Sequence, residues 1–577
     1  MSIAAASESP APRALEFRAL VLLWCVGLAL FGLRLASPSD LPDNDQERPA
    51  SYVLDVVCNG HWIVQRDVGG DITSKPPLYT WLAATAAVVT GSVNRFTLYL
   101  PCGLTVLGAA LLIGKAARTH FGTLAGLLGG LSFFFCQYGY KHVVLARTDA
   151  LFAFLVTAAA LAGYRAWSAG RGWTGFWLLA AGASLTKGPL GLMLAAGGLL
   201  AAGWEWRSGR PARLRGLHWS GPLLWLGLVG GWFALAYAAV GDELVRKMVV
   251  RELAGHVTGA DAGGLKPFSQ PFHAWLYFLS RYLPWSLFAC VGFWRVWRRP
   301  AASDAERRFE RFLFCWFWLG LLLFTIAPHK RPDLLLPLVP AAAMLAGREL
   351  ARLLARVQPA RVWRASLAGS VAILAAMFAY ARWEGTWNSP MTEARAMAAM
   401  AAWWNKNAPA DVPLTFADPL MTLQFHLQRH QFFVQPAEAA KFLQGEEACF
   451  VAVQNLESLR RNLPNDFALH ELAHQPADGK PFVSLVSNRP TLAASPAVSV
   501  GIGSLAVELQ GMALRRASWN DLFLQPLRAG ATTTVRDTAA EPVWVGYRLT
   551  RGPVERRRLA PGESWTIRAE PTTYAAR

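Results

Sequence analysis

Long apolar runs separated by short basic loops set the rhythm of the first two thirds of the chain, and the last third loses it. A membrane-crossing helix needs about 20 mostly apolar residues. Eleven stretches meet that description, at 17–37, 98–115, 121–141, 148–166, 172–187, 189–206, 219–240, 274–295, 312–328, 333–351 and 365–382. A further run, 78–90, is too short to cross easily. After Arg382 no 20-residue apolar run recurs. There, helical periodicity covers 394–405, short strands are expected at 414–417, 430–434 and 448–453, and a helix at 436–443 falls between two of them. From Ala497 onward, alternating stretches such as 500–509 and 543–549, punctuated by Gly, Pro and Asp, predict strands. The expected architecture is a membrane α-helical bundle of about 11 spans over residues 1–382, with a long first outer loop at 38–97. An extracytoplasmic soluble α/β region follows at 383–490, and a β-rich segment at 491–577.

Composition agrees with a membrane protein. The 577 residues are 53% hydrophobic and 16% charged, with a mean hydropathy of +0.26, too apolar for soluble domains of this total length. The 25 tryptophans fit a chain with many membrane interfaces. A net charge of +18 raises the question of a nucleic-acid partner. The arginines, however, fall mainly in short loops between spans, where they set topology, and no nucleic-acid partner is expected. Seven cysteines, at 25, 58, 102, 136, 290, 315 and 449, show neither metal-ligand nor disulfide-framework spacing. Cys58 and Cys102 could both face an oxidising compartment, and spacing does not decide whether they pair. Arg13 and Arg18 ahead of an apolar core resemble a signal peptide, but the only cut site, after Ala36, would need a small residue where Arg34 stands. The segment is therefore kept as the first span.

Orientation hinges on the run 78–90. If it lies in the interface instead of crossing, the N-terminus is cytoplasmic and the inner loops hold Lys115 and Arg118, Arg165 and Arg171, Arg207 to Arg215, Arg295 to Arg311, and Arg352 to Arg364. If it crosses, all these loops face outward, against the positive-inside rule, so the first arrangement is adopted. Asp45, Lys75, Arg147, Asp149, Lys187, the charges at 246–252 and His329-Lys330-Arg331 then lie on the outer side, at span ends. Lipid headgroups or mutual pairing could hold any one of them. Together they call for an anionic ligand. The first outer loop carries Asp45-Gln46-Glu47-Arg48, Gly60-His61-Trp62 and Ser74-Lys75-Pro76-Pro77, and loops of this length are usually functional. Arg and Lys are natural ligands of phosphoryl oxygens. With Lys75, Arg251, Lys330 or Arg331 on one flank and Asp45 with Asp149 on the other, a cavity would suit a lipid-linked phosphosugar. The cations would neutralise the leaving phosphate and the carboxylates would face the nucleophile.

These motifs resemble those of the GT-C superfamily of polyprenyl-phosphate-sugar glycosyltransferases, which includes protein O-mannosyltransferase-like enzymes and lipid A aminoarabinose transferases. The resemblance is best over residues 40–190: Asp45 with Arg48, Lys75-Pro76-Pro77, Ala146-Arg147-Thr148-Asp149-Ala150, and Leu185-Thr186-Lys187-Gly188-Pro189. His329-Lys330-Arg331-Pro332 before Leu334-Leu335-Leu336-Pro337-Leu338 is similar to a later basic segment of the family. The resemblance implies a GT-C membrane fold and Asp45 as principal catalytic carboxylate, held by Arg48 and Lys187. It also implies Lys75 as ligand of the polyprenyl phosphate and Asp149 as second acidic residue. The implied activity is inverting transfer of a sugar from an undecaprenyl phosphate donor to lipid A, a surface glycan or a protein, at the outer face of a bacterial inner membrane with the C-terminal region periplasmic. Implied partners are the polyprenyl-linked donor, the acceptor and membrane lipids. Two departures stand out. Pro49-Ala50-Ser51 replaces the family's Tyr-Ala-Glu, and Ser74 stands where the aminoarabinose transferases carry an acidic residue similar to a metal ligand. No metal or other cofactor is therefore expected; were a divalent metal present, His256, His329 and Glu252 would be the candidates. A carrier or flippase for polyprenyl-linked sugars is the alternative, since outer cations and membrane carboxylates also suit passage. Transporters usually show internal repeats with broken spans in matching positions. No such repeat is found, and the polar residues crowd one face.

Overall fold

The computed structural model describes residues 10–492 apart from 38–40, 42–43, 211–213, 255–270, 328–329, 409–413, 446–448 and 479, and beyond them strands between 506 and 568. All eleven apolar runs are helical. Among the described residues, seven helices are long and apolar enough to cross a membrane: Ala14–Leu35, Arg95–Phe121, Thr148–Ala169, Ser220–Val240, Asp304–Ile326, Pro332–Leu353 and Pro359–Glu384. The chain is a multi-pass membrane protein. The remaining four runs are short or broken where the sequence dictates. The run 121–141 divides into α5 (Thr123–Phe134) and α6 (Gln137–Val143), because Cys136 caps a new helix by accepting from Gly139 N. The helix α8 (Trp173–Lys187) has 15 residues, ending where Gly188 takes φ 81° ahead of Pro189. A 3-10 turn at Gly197–Leu200 separates α9 (Leu190–Ala196) from α10 (Ala201–Arg207). The run 274–295 breaks between α13 (His273–Arg281) and α14 (Trp285–Arg298), at Pro284.

Before these come α1 (Pro10–Leu35), α2 (Asn44–Asn59), α3 (Leu78–Thr90) and α4 (Arg95–Phe121); α7 (Thr148–Ala169) and α11 (Ser220–Val240) lie between them. At 13 residues, α3 is about 20 Å long, short of the ~30 Å hydrocarbon thickness, and Gly91 at φ 82° ends it. A π-helical segment α12 (Val245–Ala254) follows α11, and α15 (Asp304–Ile326), α16 (Val339–Leu353) and α17 (Pro359–Trp387) complete the bundle.

Small residues let the central helices touch. A Cβ on Gly347 of α16 would lie 2.4 Å from Ala125 O and 2.6 Å from Gly129 N of α5; one on Gly126 would lie 2.4 Å from Gly114 O of α4. In lipid, where apolar surface gains little by leaving its surroundings, such backbone approach is what holds helices together. The far ends of α15 and α16 are tied by a buried ionic group. Arg348 pairs with Glu310 and bonds Glu349 at 2.9 Å, and Glu349 also takes Arg295 at 3.0 Å and Arg352 at 3.1 Å.

After α18 (Ser389–Asn407) a four-stranded sheet has the order β1-β2-β4-β3, with β1 (Leu414–Phe416) parallel to β2 (Phe450–Val453) and β3 (His470–Gln475) antiparallel to β4 (Val483–Ser487). The expected helix at 436–443 forms as Pro436–Leu443. The strand expected at 430–434 does not form. Its Phe433 N–H donates to Val68 O and its Val434 N–H to Phe416 O, single bonds to two different partners. Past Leu492 the described elements are strands, a four-stranded antiparallel sheet and a two-stranded one.

Residues 420–434 clasp the loop that follows α1. Thr422 donates to Glu47, Gln428 bonds both N and O of Val93, and His430 contacts Asp55 at 3.5 Å while its Nε2 bonds Arg66 O at 3.0 Å. Asp55 also accepts from Asn59, His61 and Arg66 N at 2.7–2.9 Å. Burial pushes the Asp55 carboxyl up, but the His61 hydrogen bond and the nearby imidazoles outweigh it and hold it below 3.8. Burial holds the His430 imidazole below its usual 6.5, against the pull of Asp55.

Two predictions follow from this packing. Gly347→Ala should lower stability by about 1–3 kcal/mol by forcing α5 and α16 apart, read as a fall in the unfolding temperature of the detergent-solubilised protein; an unchanged temperature would remove the contact from the stability argument. Since the opened form takes up a proton on His430 near pH 6.5 and the closed form only below it, acid favours opening. Hydrogen exchange at 55–73 and 424–434, corrected for intrinsic rates, should therefore quicken as pH falls below 6.5, and His430→Asn should flatten that dependence. Identical pH profiles for both proteins would show that His430 does not govern the clasp.

Candidate active site

Helix direction brings one set of polar residues to one end of the bundle. There α7 begins, with Arg147 at its cap and Asp149 in its first turn, and α8 ends on Lys187. At the same end α15 stops and a 3-10 turn, Pro332–Leu338, carries the chain from Arg331 and Asp333 into α16. Across this end lies α2, with Asp45 in its first turn. Glu310, which pairs with Arg348, lies 16 residues before the end of α15 at Ile326, about 24 Å along the axis, so the Arg348 ionic group belongs to the other half of the bundle.

Asp45 is half exposed, and its Oδ2 accepts from Arg147 at 2.5 Å and from Arg331 at 3.1 Å. Arg147 also reaches Asp333 at 3.4 Å, and Asp333 takes Lys141 Nζ at 2.8 and 3.1 Å. The imidazole of His142, buried beside them, lies 3.9 Å from the same carboxylate and bonds Tyr138 O through Nδ1. Asp149 pairs with Lys187, whose ammonium also lies over the Phe152 ring, and the charges of His142 and Arg147 act on the Asp149 carboxylate as well. The result is one continuous network. Gln46, the residue after Asp45, anchors it to the bundle by accepting from Tyr99 and from Ala146 N, while Arg34 stacks on the Tyr99 ring.

Farther along α2 a second charged group gathers around the loop 60–76. Lys75 Nζ bonds Glu252 of α12 at 2.6 Å, Arg66 forks onto Glu243 at 2.8 and 3.1 Å, and Lys247 faces Asp71 at 3.4 Å. Arg48 is largely exposed and lies 3.9 Å from Asp67. Burial pushes the Tyr52 phenol up, and the charges of Asp67, Asp71 and Glu252 push it further against the pull of Arg48, so all four face Tyr52. Asp67 itself is pushed up by burial, opposed by N–H groups of Gly69 and Asp71. Asp45 and Tyr52 are seven residues apart on α2, about 10 Å along its axis, which fixes the separation of the two groups.

The structure thus revises several expected pairings. Arg147 and Arg331 hold Asp45, instead of Arg48 and Lys187: Arg48 turns to Asp67, and Lys187 is taken by Asp149. Lys330 folds back onto the carbonyls of Phe324 and Thr325, capping the end of α15. Arg251 lies exposed on α12 beside Glu252. Cys58 and Cys102 form no disulfide: the first is exposed and points to Gln428 O at 3.7 Å, the second is buried against Arg147 O at 3.3 Å. Arg147 was visible in Ala-Arg-Thr-Asp-Ala and Asp333 follows Arg331-Pro332, but Lys141 and His142 carry no signal in the sequence. Among the described residues no three His, Cys, Asp or Glu side chains gather as a metal set; Glu252 is engaged by Lys75, and His256 and His329 lie outside the described residues.

Comparison with known proteins fits this geometry. Residues 74–232 match the family model described as dolichyl-phosphate-mannose-protein mannosyltransferase, a segment that runs from Ser74 through Asp149 and Lys187. Two uncharacterised proteins of Aquifex aeolicus are similar, one 25% identical over 55% of this chain and 69% of its own length, the other 26% identical over 47% and 52%. Among solved structures, ArnT from Cupriavidus metallidurans bound to undecaprenyl phosphate superposes with a TM-score of 0.61 at 18% identity, over 82% of this chain and 99% of that one. The apo state of the same protein gives 0.64 at 17% identity, over 82% and 98%. The chain thus has the membrane fold of ArnT, and its segment 74–232 is similar to the dolichyl-phosphate-mannose-protein mannosyltransferase family.

Proposed function

We propose that the protein is an inverting glycosyltransferase that moves a sugar from a polyprenyl (undecaprenyl) phosphate donor to an acceptor such as lipid A, a surface glycan or a protein. It would work at the outer face of a bacterial inner membrane, with 1–382 as the transferase domain and the rest of the chain periplasmic. One observation carries the reading. A half-exposed carboxylate, Asp45, sits where a buried Asp149 and Lys187 pair, two guanidinium groups and a 3-10 turn meet at one end of the bundle. Its two arginines both reach Oδ2, so these bonds leave Oδ1 uncommitted among the described contacts. That ArnT, of the same fold, was solved with undecaprenyl phosphate supports the donor class. Polar residues gathered at one end, instead of at mid-membrane, speak against a carrier.

For a hydroxyl acceptor, Oδ1 of Asp45 removes the proton as the oxygen attacks the anomeric carbon; the bond to the phosphate oxygen breaks on the opposite side and the phosphate leaves with the pair. For a phosphate acceptor, already anionic, Asp45 instead stabilises the oxocarbenium-like sugar. Lys75, Arg251 and the exposed Arg331 would receive the charge growing on the leaving phosphate. Lys75 rests on Glu252, an anion that the donor phosphate would displace. Asp149 and Lys187 position the floor of the site.

Asp45→Asn should lower kcat/KM by about 10²–10⁴-fold with an unchanged unfolding temperature, and should fail to restore the glycan or lipid A modification lost on deleting the gene, read by mass spectrometry. Full restoration would remove Asp45 from the chemistry. Lys75→Met should weaken undecaprenyl phosphate binding about tenfold, whereas Glu252→Gln, by freeing the ammonium, should tighten it several-fold. Equal affinities in the three proteins would show that the phosphate does not reach Lys75.

A further inference from the structure

Helices α13, α14 and α15 enclose an apolar cavity of ≈ 330 Å³ lined by aromatic rings, among them Trp275, Phe293, Trp294, Trp297, Phe314 and Trp318. The rings are organised, not merely crowded: Trp275 and Trp318 have centroids 4.7 Å apart, and Trp297 stacks with Phe314 at 6.1 Å and 24°. Trp294 and Trp297 are mostly exposed, so the cavity opens on the lipid-facing side of the bundle. Its volume lies at the lower end of small-ligand sites. One lining residue carries an unanswered polar group: Nε1 of Trp318 is buried and has no acceptor among the described residues. The mouth is cationic. The Arg299 guanidinium lies 5.7 Å from the centre of the Trp294 ring, and Arg298, next to Trp297, is exposed. Nearby Arg295 and Arg311, in contrast, are taken by Glu349 and Glu205.

We infer that this cavity is a binding site for an anionic diacyl phospholipid of the leaflet next to the basic loop, with one acyl chain among the rings and the phosphate on Arg298 and Arg299. An apolar chain explains the aromatic lining, an ester carbonyl offers the acceptor that the Trp318 indole lacks among the described residues, and a negative headgroup complements two rim arginines that have no oppositely charged partner among the described residues. The cavity's α15 rings, Phe314, Phe317 and Trp318, lie about 12–18 Å along the helix from Ile326, and its cationic mouth lies on the loop after α14, so the headgroup site is separate from Asp45 and independent of the proposed transfer reaction.

Native mass spectrometry of the detergent-solubilised full chain, titrated with phosphatidylglycerol and with phosphatidylethanolamine of the same acyl chains, tests it. The wild type should retain phosphatidylglycerol the more tightly. Replacing both surface arginines (R298Q/R299Q) should weaken that retention roughly thirtyfold, at about a factor of five for each cation, and leave phosphatidylethanolamine unchanged. Trp318→Phe, which keeps the ring and loses the N–H, should weaken both lipids a few-fold. Equal retention of the two lipids, or undiminished phosphatidylglycerol binding by R298Q/R299Q, would overturn the assignment. So would a loss of undecaprenyl phosphate binding in place of phospholipid binding in that variant, or a dimer whose population falls in Trp297→Ala, which would give the cavity to a second copy of the chain.

Discussion

Two guanidinium groups on one carboxylate oxygen, Arg147 and Arg331 on Asp45, hold the working end of this molecule together. They matter because ionisable groups at the ends of apolar helices lose much of their hydration, and each must find an opposite charge nearby. The rule propagates: Arg147 shares itself with Asp333, Asp333 takes Lys141, and Lys187 takes Asp149. Four segments that are remote in sequence thereby acquire one geometry. Removing any single member strands a charge, so the network is more specific in its positions than strong in its net energy. The opposite end of the bundle obeys the same rule with Arg348, Glu310 and Glu349, but there the group is buried and complete. At the working end Asp45 and Arg331 keep about half their surface open, which is the difference between a structural tie and a site that a ligand can enter.

Where helices stop decides which residues reach that end. Gly188 and Pro189 end α8 one residue after Lys187, and the turn beginning at Pro332 delivers Arg331 and Asp333 to the same level. Between the ends, glycines at 114, 126, 129 and 347 allow backbones to touch. The spacing between helices, and with it the width of the site, is set by these absent side chains as much as by the charged ones.

Much of this was legible in the chain. Apolar run lengths gave the helices, and the break in hydropathy after Arg382 separated the bundle from the sheet that follows. The residues Asp45, Asp149, Lys187 and Arg331 stood out because each is a charge where a span ends. Their pairing did not show. Asp45 meets Arg331 across 286 positions, and only tertiary packing chooses that partner over Arg48, three residues away. Lys141 and His142 were hidden because the apolar run containing them reads as one span, whereas it bends at Cys136 and turns them toward Asp333. The strand expected at 430–434 failed for a related reason: its alternation is real, but its hydrogen bonds go one each to Val68 and Phe416, serving as a tie between regions instead of a ladder.

That tie bears on how the protein is made. Glu47 waits for Thr422, 375 residues further on, and Asp55 for His430. Since a ribosome delivers the first partner long before the second, the loop carrying Asp45 emerges early and stays unfinished until nearly three quarters of the polypeptide has been made. The region that follows the last span therefore governs when the first loop acquires its final shape.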